Sequence, residues 1–286
     1  MSARVAVVTG GASGIGLGMA HAFARRGMRL VLADIDRDGL QAAVDELCAA
    51  GTEAIGVPTD VRDAAAVDAL AATTVETFGR VDVACNNAGV WTLETQWETS
   101  LDEWRWVVDI NLMGVVNGIR AFVPWLLANP DGGRIVNTAS MGGLFGLAFS
   151  GPYTATKHAV VGLSKGLRQE LDARSGGRVG VTVVCPGTVR TGLIDTLGHR
   201  PDSADRAPDV QAMYGAMRDQ VMAGISSDEA GEVIADAVER GRFWAFPASA
   251  PLAPLLRQDA DELFESLERS DAQTPEVSSD TMTNSR

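Results

Sequence analysis

Near the start of the chain stands Val5-Ala6-Val7-Val8-Thr9-Gly10-Gly11-Ala12-Ser13-Gly14-Ile15-Gly16, an apolar run of strand type that passes into a glycine-rich turn, after which helical spacing begins. Glycines let a backbone turn tightly and come close to a pyrophosphate. The helix N-terminus that follows offers unpaired N–H groups and a partial positive charge. Because glycines also serve plain turns, the reading needs a second signal. It comes from Asp34, which ends the next apolar run roughly twenty residues past the turn, where a carboxylate accepts hydrogen bonds from an adenosine ribose. The other role open to Asp34, capping a helix that begins near Arg37, is one that Asp36 can fill. A carboxylate at position 34, with no basic residue at Gly11, Ala12 or Ser13, repels a 2′-phosphate, so NAD is expected in preference to NADP. Arg37 is the residue that keeps NADP open, since a guanidinium accepts such a phosphate.

Outward from this stretch, short β-rich apolar runs recur at 5–8, 30–33, 54–57, 81–85, 135–136, 179–184 and 243–246. Between them lie segments of helical spacing at 15–26, 37–50, 64–78, 101–127, 153–174 and 228–240. That alternation predicts a parallel sheet. Runs that are continuously apolar, rather than alternating, predict strands covered by helices on both faces, which is a doubly wound α/β fold. Ser100-Leu101-Asp102-Glu103 reads as a capping box at a helix start, and Pro124 is expected to kink or end the helix that follows. From 188 to 225 the pattern loosens into Gly, Pro, Asp and Met, an excursion expected to form a lid over a site rather than a second domain. The reading is therefore one domain over 1–257, with an acidic extension over 258–286. The extension holds eight Asp or Glu against two Arg, a short helix around Leu263, Phe264 and Leu267, and little to bury beyond Ser270.

Composition bounds the function. With 286 residues, 46% hydrophobic and 21% charged, the chain can bury a substantial core. Its net charge of −13 repels phosphate backbones and anionic membranes, so neither nucleic acid nor membrane is an expected partner. The three cysteines, Cys48, Cys85 and Cys185, are widely spaced with no C-x-x-C pair, which argues against a disulfide framework or a structural metal. No signal-peptide pattern and no long uninterrupted apolar run is seen, and a cytoplasmic protein is expected.

Tyr153 and Lys157 stand four apart at the start of a predicted helix, which puts a phenol and an ammonium on one face. A tyrosine with an ordinary pKa of about 10 acts as a base near neutrality only if that value is lowered, and a cation at about 4 Å contributes in that direction. Burial acts the opposite way. The chain has only two Tyr, so this spacing to a Lys is rarely met by chance. Ser140, at the end of the fifth predicted strand, lies on the same sheet edge as the glycine turn, where its hydroxyl can donate to a substrate oxygen. Asn111 sits inside a predicted helix against its propensity, where it can hold a water or disturb the helix locally.

Together these residues resemble the short-chain dehydrogenase/reductase family in its compact single-domain branch, over most of the chain from Thr9 to about Arg240. Thr9, Gly10, Gly14 and Gly16, with Ser13 and Ile15 between them, fit the family's glycine turn. Asp60-Val61 looks like its adenine-contacting pair and Asn86-Asn87-Ala88-Gly89 like its element after the fourth strand. Asn111, Ser140, Tyr153 and Lys157 match the catalytic tetrad, and Pro186-Gly187-Thr188-Val189-Arg190-Thr191 resembles the segment that holds nicotinamide and diphosphate. The resemblance implies a seven-stranded Rossmann sheet and a homo-oligomer, tetramer before dimer. It also implies hydride transfer between a secondary alcohol and NAD, with Tyr153 taking the hydroxyl proton. Ser140 would orient the oxygen, Lys157 would lower the Tyr153 pKa and bind the nicotinamide ribose, and Asn111 would hold a relay water. Residues expected around the substrate are Trp91, Met141, Leu147 and Leu193, with Leu93, Leu144, Phe145 and the region of Met213 and Tyr214. Their apolar character points to a hydrophobic, aromatic or alicyclic alcohol or ketone, while Arg190, Arg200 and Arg206 lie near enough in sequence to keep an acidic substrate open. An NADPH-dependent carbonyl reductase and a non-catalytic NAD-binding protein are the alternatives.

Overall fold

The computed structural model describes residues 3–199 and 208–271. Seven strands form one sheet: β1 Val5–Thr9, β2 Arg29–Asp34, β3 Ala54–Pro58, β4 Val83–Asn86, β5 Gly133–Thr138, β6 Val179–Val184 and β7 Trp244–Ala245. All pairs are parallel and the spatial order is β3-β2-β1-β4-β5-β6-β7. The sheet and the fold class are those expected from the sequence.

Both faces are covered, and the strand sequences show why. Along β1, Ala6 and Val8 enter one core cluster while Val5 and Val7 enter the other, and β2 divides Leu30 and Leu32 from Val31 and Ala33 in the same way. Period-two side chains on a strand buried from both sides must all be apolar. One cluster is closed by α1 (Gly14–Arg25), α2 (Arg37–Ala49) and α8 (Ser227–Glu239), through Met19, Phe23, Leu40, Leu47 and Ile234. The other is closed by α3 (Ala64–Phe78), α5 (Gly114–Ala128) and α6 (Gly151–Ser175), through Leu70, Phe122, Leu126, Leu167 and Leu171. Helices α1 and α8 cross at Gly18 and Gly231: a β-carbon on Gly18 would stand 2.0 Å from the Ser227 carbonyl oxygen, and one on Gly231 2.1 Å from the Gly18 oxygen. Glu232 of α8 then pairs with both Arg25 and Arg26.

Helix α4 (Leu101–Val108) starts at Ser100, whose hydroxyl accepts from the Glu103 N–H at 3.1 Å. It continues through a single π turn, Asp109–Met113, into α5. The break in the helix therefore falls at Asn111 and not at Pro124, through which α5 passes. Pro124 removes one ladder hydrogen bond, while Phe122 and Leu126 on either side of it are locked in the core and keep the helix running. By length and composition, 101–128 could cross a membrane; here the same segment covers the sheet and carries a fully buried Asn111.

The chain divides into two compact units, Met1–Ala250 and Pro251–Arg286, seven residues before the boundary expected from composition. The first contains the sheet and all the site residues. In the second, the helix is longer than expected, α9 running Ala253–Asp271 and exposing Leu255, Leu263, Phe264 and Leu267. The tail expected beyond Ser270 lies, apart from Asp271, outside the described residues.

Candidate active site

In an open parallel sheet the crevice for a ligand opens where the strand order reverses, beyond the carboxyl ends of the strands. Here that point lies between β1 and β4. The turn after β1 depends on its glycines. Gly10 and Gly14 have φ of 65° and 54°. A β-carbon on Gly10 would stand 2.9 Å from Ala88 Cα, and one on Gly16 1.9 Å from the Gly10 oxygen. Thr9 fastens the neighbouring loop: its hydroxyl donates to the Cys85 oxygen at 3.2 Å and accepts from the N–H groups of Asn87 (2.9 Å) and Ala88 (3.2 Å). The Asn87 amide returns to the Thr9 oxygen at 3.1 Å and accepts from Thr138 at 3.1 Å.

Ser13 stands at the N-cap of α1 without using its side chain to cap, and partly buried Ile15 follows in the first turn. Asp34 does not cap α2; Asp36 does, accepting from Gly39 N–H at 3.1 Å. The Asp34 carboxylate instead accepts from Ala12 N–H and Asp36 N–H, both at 3.1 Å, which aims it at the glycine turn. Across the crevice, a β-carbon on Gly14 would lie 3.3 Å from Thr191 Cγ2, so the turn and the segment after β6 form two walls of one cradle. That segment is fixed by Met141 N–H donating to the Pro186 oxygen (3.0 Å), by Gly187 N–H donating to Pro247 (2.9 Å), and by a bridge of Val189 with Ile225. These donors, glycine gaps and carboxylate fit a dinucleotide. Asp60 is gripped by Arg62 at 2.6 Å, which holds its carboxyl below the usual range. Val61 is buried behind it, its oxygen accepting from Asn117 at 2.9 Å.

The four candidate catalytic residues converge. Ser140 caps the short 3-10 turn Met141–Gly143, its oxygen accepting from Gly142 N–H at 3.1 Å. Its hydroxyl also lies near enough to the Tyr153 phenol to favour the phenolate. Lys157 Nζ donates to the Thr138 oxygen at 2.8 Å and lies 5.6 Å from the centre of the Tyr153 ring. Asn111 Oδ1 accepts from Val90 N–H at 2.8 Å and its Nδ2 donates to the Val90 oxygen at 2.9 Å. A β-carbon on Gly89 would stand 3.3 Å from Asn111 Oδ1 and 3.5 Å from Lys157 Nζ, which places that loop between the two side chains.

The electrostatics depart from the sequence expectation in one respect. Burial pushes the Tyr153 hydroxyl above its ordinary range and the nearby Ser140 hydroxyl opposes this; Lys157 Nζ, 5.6 Å from the ring centre, does not offset the burial. Burial draws Lys157 itself down to about 8. Desolvation penalises each charged form and here exceeds the attraction expected between the two groups.

Beside Tyr153 is an apolar cluster of Trp91, Leu93, Ile194 and Val210, with Leu147, Phe149, Leu193, Met213, Tyr214 and Met217 packed on it. Of the expected substrate contacts, Trp91, Leu93, Leu147, Leu193, Met213 and Tyr214 fall in this cluster. Met141 does not, nor do Leu144 and Phe145. Met141 is buried at the start of the turn that Ser140 caps, where its N–H serves Pro186. Sequence reasoning missed Phe149, Ile194, Val210 and Met217. A signal was present for part of the set: Val210, Met213, Tyr214 and Met217 recur at 3, 4 and 7 residues, the apolar stripe of α7 (Pro208–Met222).

A family model described as short chain dehydrogenase matches residues 4–202. The 1-deoxy-11-beta-hydroxypentalenate dehydrogenase of Streptomyces avermitilis is 42% identical over 221 residues, covering 74% of this chain and 80% of that protein. A C alpha-dehydrogenase from Sphingobium is 30% identical, over 92% of this chain and 85% of that one. Among solved structures, a short chain dehydrogenase/reductase from Burkholderia phymatum in complex with NAD aligns with a TM-score of 0.88 at 38% identity, over 93% of this chain and 95% of that one. With the strand order, the glycine cradle and the Ser140, Tyr153 and Lys157 constellation, these matches make the chain a member of the short-chain dehydrogenase family, an NAD(P)-dependent oxidoreductase acting on CH–OH groups.

Proposed function

We propose that the protein is an NAD-preferring dehydrogenase of bulky apolar secondary alcohols, reversible toward the ketone. The observation that carries this reading is that Tyr153, beside the Ser140 hydroxyl, is itself a member of the apolar cluster of Trp91, Leu93, Ile194 and Val210. A relative named as a 1-deoxy-11-beta-hydroxypentalenate dehydrogenase and another named as a C alpha-dehydrogenase are in keeping with it. Asp34, held by two backbone N–H groups, supports NAD over NADP, because it faces the position where a 2′-phosphate would need a cation. The neighbour in complex with NAD agrees.

When bound, NAD supplies the hydride acceptor. Tyr153 takes the proton of the alcohol hydroxyl as the carbinol hydrogen leaves with its electron pair. Ser140 donates to the substrate oxygen and holds it against the phenol. Lys157, anchored on Thr138, provides a buried cation at the ring and donors for the cofactor's ribose. Asn111 pins Val90 and with it the loop of Asn87, Ala88 and Gly89, and a relay water would sit against it. Since burial raises Tyr153, alcohol oxidation is expected to accelerate from neutral to alkaline pH.

The test is appearance of NADH absorbance with a panel of alicyclic and aryl secondary alcohols, repeated with NADP. Turnover with NAD, falling about 10³-fold or more in Tyr153→Phe while NAD affinity stays within about threefold, is the expected outcome. A Tyr153→Phe protein as fast as the parent would overturn the mechanism, and equal turnover with NADP would overturn the cofactor preference.

The enzyme is further proposed to be a cytoplasmic homo-oligomer, tetramer before dimer. Trp97 and Leu101, 83% and 70% exposed, are large apolar side chains of a kind that association covers. Light scattering after size exclusion tests it, and a monomer mass at micromolar concentration would count against it.

A further inference from the structure

Trp91 is held at two points by residues that belong to different walls of the site. Its backbone N–H donates to the Thr196 hydroxyl at 3.1 Å, and that hydroxyl in turn donates to the Leu193 oxygen at 2.6 Å. Thr196 belongs to the 3-10 segment Gly192–His199, which also brings Leu193 and Ile194 into the apolar cluster. At its other end, the Trp91 indole N–H donates to the Ser150 hydroxyl at 3.1 Å. Ser150 is fully buried and stands at the N-cap of α6, the helix that carries Tyr153 and Lys157. A serine at an N-cap ordinarily accepts from the first turn of its helix, and this one makes no such bond. Its oxygen serves the indole instead. The residue before it, Phe149, is held at φ 60° by Glu94 N–H, which donates to its carbonyl at 2.8 Å. Non-glycine residues rarely adopt that conformation, so the corner that presents Ser150 is strained and fixed.

We infer that Thr196 and Ser150 are specificity-determining positioning residues, which hold Trp91 as a rigid wall between the segment after β6 and the catalytic helix. The inference deepens the proposed function and rests on its assignment of the apolar cluster as the alcohol site. A wall fixed at both ends matters to a substrate large enough to reach it. A small alcohol engaging only Ser140 and Tyr153 does not feel it. Thr196 and Ser150 act through Trp91, not on the reacting atoms.

Thr196→Val keeps the shape and removes the acceptor, leaving the Trp91 N–H and the Leu193 oxygen without their partner. The expected result is a rise in KM of about tenfold for a bulky alicyclic alcohol, with kcat within about threefold, and little change for 2-propanol or for NAD. Ser150→Ala is expected to act in the same direction, and Thr196→Ser, which keeps the hydroxyl, to restore the parental ratio of bulky to small substrate. A merely structural role would move KM for NAD, kcat and both alcohols together, and that pattern overturns the inference; so does an unchanged KM for the bulky alcohol in Thr196→Val. Hydrogen exchange without substrate separates this from failure of the proposed function. Faster exchange over 192–199 and at Trp91 in Thr196→Val, but not in Thr196→Ser, supports the anchoring even if no alcohol in the panel is turned over. Unchanged exchange refutes it whatever the enzyme oxidises.

Discussion

The two sides of the crevice are made in different ways. On the cofactor side, between β1 and β4, the fit is of backbone to backbone: Gly16 lies under the Gly10 carbonyl, Gly10 against Ala88, and Thr9 distributes one hydroxyl over three main-chain groups. On the substrate side, apart from Trp91, which is anchored at both ends, the walls are apolar side chains gathered from Phe149, Ile194 and the α7 stripe. A cradle of main chain tolerates no added atom, whereas a wall of side chains can repack. This is why one fold can keep a cofactor while its substrate pocket varies. Gly16→Ala tests the first half of the contrast. Its β-carbon would stand 1.9 Å from the Gly10 oxygen and 2.8 Å from Asn87 Nδ2, and no rotamer relieves a clash made by Cβ. NAD affinity is expected to fall at least about a hundredfold, corresponding to roughly 3 kcal/mol of backbone displacement. Calorimetric titration with NAD, with circular dichroism to confirm the fold, measures this; near-parental binding would mean that the turn is not the cradle.

Lys157 stands where the two sides meet, and its cost and its use can be separated. Because burial lowers its pKa to about 8 from an ordinary 10.5, the unfolded chain binds more protons at this site between those values. Its contribution to stability therefore rises as pH increases across that window, and the penalty for burying the charge is fully present below about 8. Lys157→Met removes the penalty and the function together. Turnover is expected to drop about 10²–10⁴-fold, while Tm at pH 6.5 rises relative to the parent by a few degrees. The gain should shrink by pH 9.5. A Tm difference that does not change with pH would show that the buried ammonium carries no such cost.

The sequence made the backbone side legible because its signals are local. Glycines at fixed offsets, a carboxylate at the end of β2 and a Tyr and Lys one helical turn apart can each be read in a window of a few residues. The doubly buried sheet was readable for the same reason, since short continuous apolar runs recurring between segments of helical spacing point to strands covered on both faces. Less was legible where a role depends on partners far along the chain. Thr196 meets Trp91 across 105 residues and Gly18 meets Gly231 across α1 and α8, and neither pairing leaves a local pattern. Pro124 does not end its helix, because the burial of Phe122 and Leu126 on either side carries α5 through it. For Tyr153 the opposing effects of cation and burial could be named from the sequence but not weighed, because desolvation cannot be judged before the depth of a site is known.

The smallest expected effect completes the comparison. Met217 lies on the α7 stripe, partly buried against the cluster that holds Tyr153 and Trp91, with no hydrogen bond or charge at stake. Met217→Ala removes apolar contact worth about 1 kcal/mol, so KM for a bulky alcohol should rise about fivefold. Met217→Leu, close in volume and able to repack, should stay within about twofold. Neither variant should move KM for NAD, because Met217 packs on the apolar cluster and not on the glycine turn. Steady-state kinetics with both substrates varied decides it. If Met217→Ala weakened NAD as much as the alcohol, the side-chain wall and the backbone cradle would be one cooperative structure, and the separation that lets the pocket vary while the cofactor stays would be lost.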